Sequence, residues 1–126
     1  MKYALLIYTD QTAWAEMSPD EAAAARAESL PQWYSLFEEL GKVDATANGF
    51  ELEAAAEAKV VRVRDGQTVV TDGPFAETKE LIGGAFITEL PDLDEAIRMA
   101  ALVPAAEYGS LEIRPIVDHS GSETTV

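Results

Sequence analysis

The chain has 126 residues, with 23 acidic side chains against 9 basic ones, a formal net charge of −14, one histidine and no cysteine. That length fits one domain able to bury a core without a staple, and the missing cysteine excludes disulfides, thiolate catalysis and cysteine-ligated metal sites. The acidic balance excludes sequence-independent nucleic-acid binding, which needs Lys and Arg to displace phosphate counterions, and binding to an anionic membrane surface.

Lys2 to Tyr8 reads as a strand that is apolar on both faces, the pattern of a strand covered from two sides. Its apolar run is shorter than a signal-peptide core, and no stretch approaches the ~20 apolar residues of a membrane span. The expected location is cytoplasmic. Ser18-Pro19-Asp20-Glu21 then opens a helix, with serine as cap, proline in the first turn and Glu21 placed for a capping box. Pro31 should kink that helix or restart it. Beyond it Trp33, Leu36, Phe37 and Leu40 take the spacing of a buried stripe, and Gly41 is placed to end the helix.

Asn48-Gly49 marks a turn, and Glu53 to Ala58 is expected to be a loop or a single turn. Val60 to Arg64 and Thr68 to Thr71 flank Asp65-Gly66, a strong hairpin signal. Pairing across it sets Val63 opposite Thr68, Val61 opposite Val70 and Lys59 opposite Asp72. Arg62 and Arg64 then share one face and Val61 and Val63 the other. Leu81 to Leu90 is a further strand, in which Gly83-Gly84 suggests a bend. Asp92-Leu93-Asp94-Glu95 reads as a second capping box, opening a helix to about Val103. Leu111 to Val117 is the last strand, where Pro115 suggests an edge. Residues 119–126 are expected to form a flexible tail.

The order is strand, long helix, hairpin, strand, shorter helix, strand. It predicts a single α+β domain over residues 1–118: a ferredoxin-like antiparallel sheet with two helices on one face. Two helices cover only one face of such a sheet. The doubly apolar first strand therefore predicts a homodimer packed sheet to sheet.

Candidate chemistry centres on residues 71–80. Asp72-Gly73-Pro74-Phe75 is a constrained turn, followed by Glu77, Lys79 and Glu80. Asp72, Glu77 and Lys79 are the candidate catalytic residues, because a carboxylate beside a lysine can move a proton or steady an oxyanion. The bland reading has Asp72 organising the turn as aspartate does in Asx-turns. Phe75, Tyr8, Arg62 and Arg64 are the candidate ligand-binding residues. Trp14 and Asp10 lie after the first strand, where loops could wall a pocket. His119 stands alone, so neither a metal nor another cofactor is expected.

The run Asp72-Gly73-Pro74-Phe75-Ala76-Glu77-Thr78-Lys79-Glu80 resembles the signature of the DGPF group within the YCII-related family. The likeness continues through Val61-Arg62-Val63-Arg64-Asp65-Gly66, Gly83-Gly84, Asp92-Leu93-Asp94-Glu95-Ala96, Glu112-Ile113-Arg114-Pro115-Ile116 and the N-terminal Met1 to Tyr8. The resemblance implies a ferredoxin-like fold of the dimeric α+β barrel type. It also implies a regulatory role linked to extracytoplasmic-function sigma factors, or an enzyme of isomerase or lyase type acting on a small aromatic or lactone substrate. Some relatives have a proposed His-Asp pair. No histidine here matches it, since His119 follows the last strand. A third reading is an acidic interaction module, because residues 16–57 hold ten acidic and two basic groups. The expected function is binding of a small molecule or regulation, with the pocket near the Asp72–Lys79 loop.

Overall fold

Strand β1 (Lys2–Asp10) alternates in burial along its length, with Tyr3, Leu5, Ile7 and Thr9 buried and Ala4, Leu6 and Tyr8 half-buried. In the computed structural model, which describes residues 1–74 and 79–120, this strand is central to a four-stranded antiparallel sheet. The other strands are β2 (Asn48–Glu51), β5 (Glu80–Glu89) and β6 (Ser110–Pro115), in the order β2-β5-β1-β6. A separate two-stranded hairpin is formed by β3 (Lys59–Arg64) and β4 (Gln67–Asp72). Helix α2 (Pro19–Val43) and helix α3 (Leu93–Leu102) complete the ferredoxin-like α+β arrangement, with a short α1 (Gln11–Ala15) after β1. That short helix is absent from the sequence expectation; Asp10 caps it by accepting from the Thr12 amide at 2.9 Å.

Both long helices lie on one face of the sheet. Leu36 and Leu40 of α2 and Ala96 and Met99 of α3 join Tyr3, Leu5, Ile7 and Phe86 in the core. The register fixes this: Leu5 stands between Phe86 and Ile113, and Ile7 between Gly84 and Leu111. Gly83 is left unpaired in β5, because Ile7 opposes Gly84 while Tyr8 opposes Ile82. The expected bend at the glycine pair is this bulge.

Helix α2 begins as expected. Ser18 accepts from the Glu21 amide at 3.1 Å and Glu21 returns the bond from the Ser18 amide at 3.2 Å. It runs through Pro31 as one helix rather than restarting there. Ala22, Ala25, Ser29, Trp33, Leu36 and Leu40 form one continuous inward stripe across the proline, which itself faces solvent. Burial along that stripe outweighs the lost hydrogen bond, and the open carbonyls can turn to water. Phe37 departs from the predicted buried stripe and is about half exposed, its ring against Trp33 and Phe86.

Gly41 does not end the helix either. The chain leaves it at Asp44, whose amide donates to the Leu40 carbonyl at 2.8 Å. The Asp44 carboxylate accepts from the Thr46 hydroxyl (2.5 Å) and amide (2.9 Å), the Thr88 hydroxyl (3.1 Å) and the Glu89 amide (2.7 Å). One side chain thus closes the helix and ties it to β5. Asn48-Gly49 opens β2 rather than forming a turn, because Gly49 lies under the Phe86 ring; a Cβ there would come within 2.4 Å of it.

The single turn expected before the hairpin is the 3-10 turn Ala55–Glu57. The hairpin has the expected register, with Lys59 opposite Asp72, Val61 opposite Val70 and Val63 opposite Thr68. Its turn residues Asp65 (φ 51°) and Gly66 (φ 75°) are both left-handed, as a type I′ turn requires. The second capping box is half formed. Asp92 accepts from the Glu95 amide at 2.9 Å, while the Glu95 carboxylate is taken by Arg98 at 2.6 Å. Strand β6 lies at the sheet edge, as Pro115 suggested. Of the expected tail, 121–126 lie outside the described residues. Among the described residues no helix is long and apolar enough to cross a membrane.

The Asp44 bonds hold its carboxyl at about 2, against an ordinary 3.8, with the Thr46 hydroxyl the largest cause and the Glu89 amide next. The folded value lies below the unfolded one, so the stabilisation is complete above the ordinary value and is lost as pH falls towards 2. Asp44→Ala should therefore cost about 1–2 kcal/mol at neutral pH, allowing for solvent screening of a partly exposed group. Chemical denaturation at pH 7 and at about pH 2.5 checks this: the gap between wild type and variant should shrink at the lower pH.

Candidate functional site

The signature segment is tethered at both ends by backbone bonds. On the hairpin side, the Gly73 amide donates to the Ala58 carbonyl at 2.8 Å. The approach leaves no space for a side chain, since a Cβ on Gly73 would sit 2.8 Å from that of Ala58. On the other side, the Lys79 carbonyl accepts from the Gln11 amide at 3.2 Å, where β1 passes into α1. The segment therefore spans from the hairpin base to the end of the central strand. Phe75 and Glu77, two of the predicted site residues, lie outside the described residues.

Asp72 closes the hairpin. Its carboxylate accepts from Lys59 Nζ at 2.5 Å, and its side chain is 84% exposed. This is the geometry of a cross-strand ion pair rather than of an enclosed general base. Arg62 is half-buried and Arg64 exposed, on the hairpin face opposite Val61 and Val63. Arg64 donates to the Val63 carbonyl at 3.0 Å. Lys79 is exposed and borders Glu80, which opposes Asp10 in the sheet. The structure therefore does not bring the hairpin candidates together: Asp72 shares the face of Val61 and Val63 with Lys59, Arg62 and Arg64 share the opposite face, and Tyr8 and Lys79 lie at the end of the β1–β5 ladder.

Tyr8 occupies the sheet face that carries no helix. On β1 it stands between Ile82 and Ser110. Its hydroxyl donates to Glu112 Oε1 at 3.3 Å, and the Ser110 hydroxyl donates to Glu80 Oε2 at 3.4 Å. Partial burial first, and then the Glu112 charge and hydrogen bond, push the Tyr8 phenol above its ordinary value, while Arg114 pulls it down. Around this polar group the same face carries Leu6, Ala4 and the buried Ala85, with Phe50, Ile82 and Ile87 roughly half exposed. The arrangement is an apolar floor with one phenol and two carboxylates at its side.

Glu112, Ser110 and Glu80 were not singled out from the sequence with Tyr8. Their signal is the alternation of β6 and β5, usable only once the pairing with β1 is known. A second polar junction sits on the helix side of the same end. Gln11 Nε2 donates to the Thr9 hydroxyl at 3.0 Å. Arg26 lies 5.0 Å over the Trp14 ring and donates to Glu51 at 3.0 Å. Trp14 is therefore held in packing by α2, and Asp10 is occupied as the α1 cap. Among the described residues no group of three or more His, Asp or Glu could hold a metal ion.

Glu112→Gln should lower the Tyr8 phenol towards its ordinary value by removing the charge that opposes its ionisation. NMR titration of the tyrosine ring carbons checks this, and an unchanged Tyr8 midpoint would dissociate the two groups.

The sequence matches the YCII-related domain over residues 1–120. It is also 34% identical over 125 residues to an uncharacterised protein of Rhizobium meliloti (strain 1021), covering 98% of each chain. The βαββαβ core, the tethered loop and these matches agree, and the chain belongs to the YCII-related family.

Proposed function

We propose that the protein binds a small apolar or aromatic molecule, in a regulatory rather than a catalytic capacity, as a homodimer packed through the helix-free faces of its sheets. The observation that carries this reading is the composition of that face. Phe50, Ile82 and Ile87 stay 53, 39 and 45% exposed on a surface that also holds the Tyr8–Glu112 and Ser110–Glu80 pairs. Apposition of two such faces would enclose an apolar space walled by polar groups, the usual make-up of a small-molecule site. The Lys79 end of the signature loop borders the same polar group through Glu80. Binding near this end of the loop retains the pocket expected from the sequence.

The alternative of an isomerase or lyase needs a desolvated base. The exposed, ion-paired state of Asp72 favours binding over turnover. A basic protein partner for the acidic first half has less support, because the acidic side chains of α2 are mostly solvated. A link to an extracytoplasmic-function sigma factor rests on the family resemblance, and co-purification of the two proteins is its test.

Thermal-shift screening with small aromatic and lactone compounds should give hits that raise the melting temperature by several degrees. Tyr8→Phe should weaken such a hit about tenfold, one hydrogen bond's worth. Asp72→Asn should leave binding intact and change stability by less than about 1 kcal/mol, as for an exposed ion pair. Turnover of a hit that Asp72→Asn abolishes would overturn the non-catalytic reading. A monomer at micromolar concentration in sedimentation would overturn the dimer.

A further inference from the structure

Helix α3 ends without the usual compensation of its negative pole. The last carbonyls of a helix have no following amide of their own helix, and most chains answer with a left-handed glycine or a cation in the last turn. Here the backbone turns away in an extended conformation at Val103, and the next residue, Pro104, carries no amide. The Val103 amide returns to the Ala100 carbonyl at 3.1 Å. Among the described residues nothing donates to the carbonyls of Ala101 and Leu102, and the last turn holds no basic residue. The single cation of α3, Arg98, is turned back towards Glu95, which holds it at 2.6 Å.

Ala101 and Leu102 also wall a cleft of about 260 Å³ between α2 and the 3-10 turn Pro104–Glu107. Its floor is apolar, from Leu36, Leu102 and Pro104, and its rim carries two carboxylates, Glu39 of α2 and Glu107 of the turn. No lysine or arginine lines it. Lys42 reaches one oxygen of Glu39 at 3.2 Å, while Arg98 stays 3.7 Å from the other, beyond hydrogen-bond distance. The Glu107 carboxylate has no partner among the described residues. An apolar floor, two carboxylates and a bare helix C-terminus together call for a cation on an apolar stem.

We propose that this cleft is a docking notch for an arginine side chain of a basic protein segment. The aliphatic stem lies over Leu36, Leu102 and Pro104, and the guanidinium meets Glu107, the open oxygen of Glu39 and the carbonyl end of α3. Arginine fits because its planar fork offers five donors to acceptors that stand apart, where a lysine offers one compact charge. The cleft is smaller than the roughly 300–1,000 Å³ of sites for drug-sized molecules and holds one long side chain, the usual form of an interface anchor. The net charge of −14 draws a basic segment towards the surface. The notch lies on the helix side of the sheet, away from Tyr8, so it stands independently of the small-molecule reading.

The probe is a leucine–arginine–leucine peptide blocked at both ends, titrated into the ¹⁵N-labelled chain and followed by amide shifts. A second peptide carries citrulline, which keeps the shape of arginine and lacks its charge. The expected result is saturable shifts centred on Ser35, Glu39, Leu102 and Glu107, with the citrulline peptide binding about tenfold more weakly, as for one charge-assisted hydrogen bond. Glu107→Gln should weaken the arginine peptide by a similar factor. Ala101→Arg should fill the helix end from within and abolish binding. Both positions are exposed, and an amide spectrum unchanged away from the cleft establishes the fold of each variant. Equal binding of the two peptides, unsaturable shifts spread over the acidic surface, shifts on the sheet face around Tyr8, or undiminished binding to Ala101→Arg would overturn the proposal.

Discussion

The register of β1 is the constraint on which the rest of the molecule depends. Tyr3, Leu5 and Ile7 face the helices, while Ala4, Leu6 and Tyr8 face away. A slip of one residue would exchange the two sets. It would place the Tyr8 hydroxyl against Leu36 and Met99 and leave Leu5 in water. Register is held on both sides, by Phe86 of β5 and Ile113 of β6 opposite Leu5, and by the bulge at Gly83, which absorbs the one mismatch in the ladder. The Asp44 carboxylate then fixes α2 to β5, so that helix and sheet cannot slide past each other.

From this follows a division of labour between the two sheet faces. The helix side is closed by packing, with the Trp33, Phe37 and Phe86 rings in mutual contact. The other side combines exposed apolar residues with a small set of paired polar groups. The described ends of the signature segment are each held by one backbone bond, Gly73 to Ala58 at the hairpin base and Gln11 to Lys79 at the end of the central strand.

Local features were legible in the sequence and distant ones were not. The Ser18 cap and the Asp65-Gly66 turn depend on residues within four positions of one another, and both formed as their chemistry requires. The pairing of Lys59 with Asp72 followed from the turn by counting. The continuity of α2 through Pro31 was hidden, because the stripe that enforces it on the N-terminal side is made of Ala22, Ala25 and Ser29, which carry little hydrophobic signal. Asn48-Gly49 read as a turn because the Phe86 ring that covers Gly49 comes from a remote strand. The same distance hid the partners of Tyr8, since Glu112 is 104 positions away. Asp72 stands as an exposed ion pair with Lys59 that closes the ribbon.

The two edges of the sheet carry a consequence for how the molecule can grow. One edge is β2, only four residues long; the other is β6, which ends in Pro115 and so lacks an amide to offer at its last position. Short edges and a terminal proline are poor templates for adding a further strand. A further strand arriving at either edge would therefore find few backbone groups with which to pair.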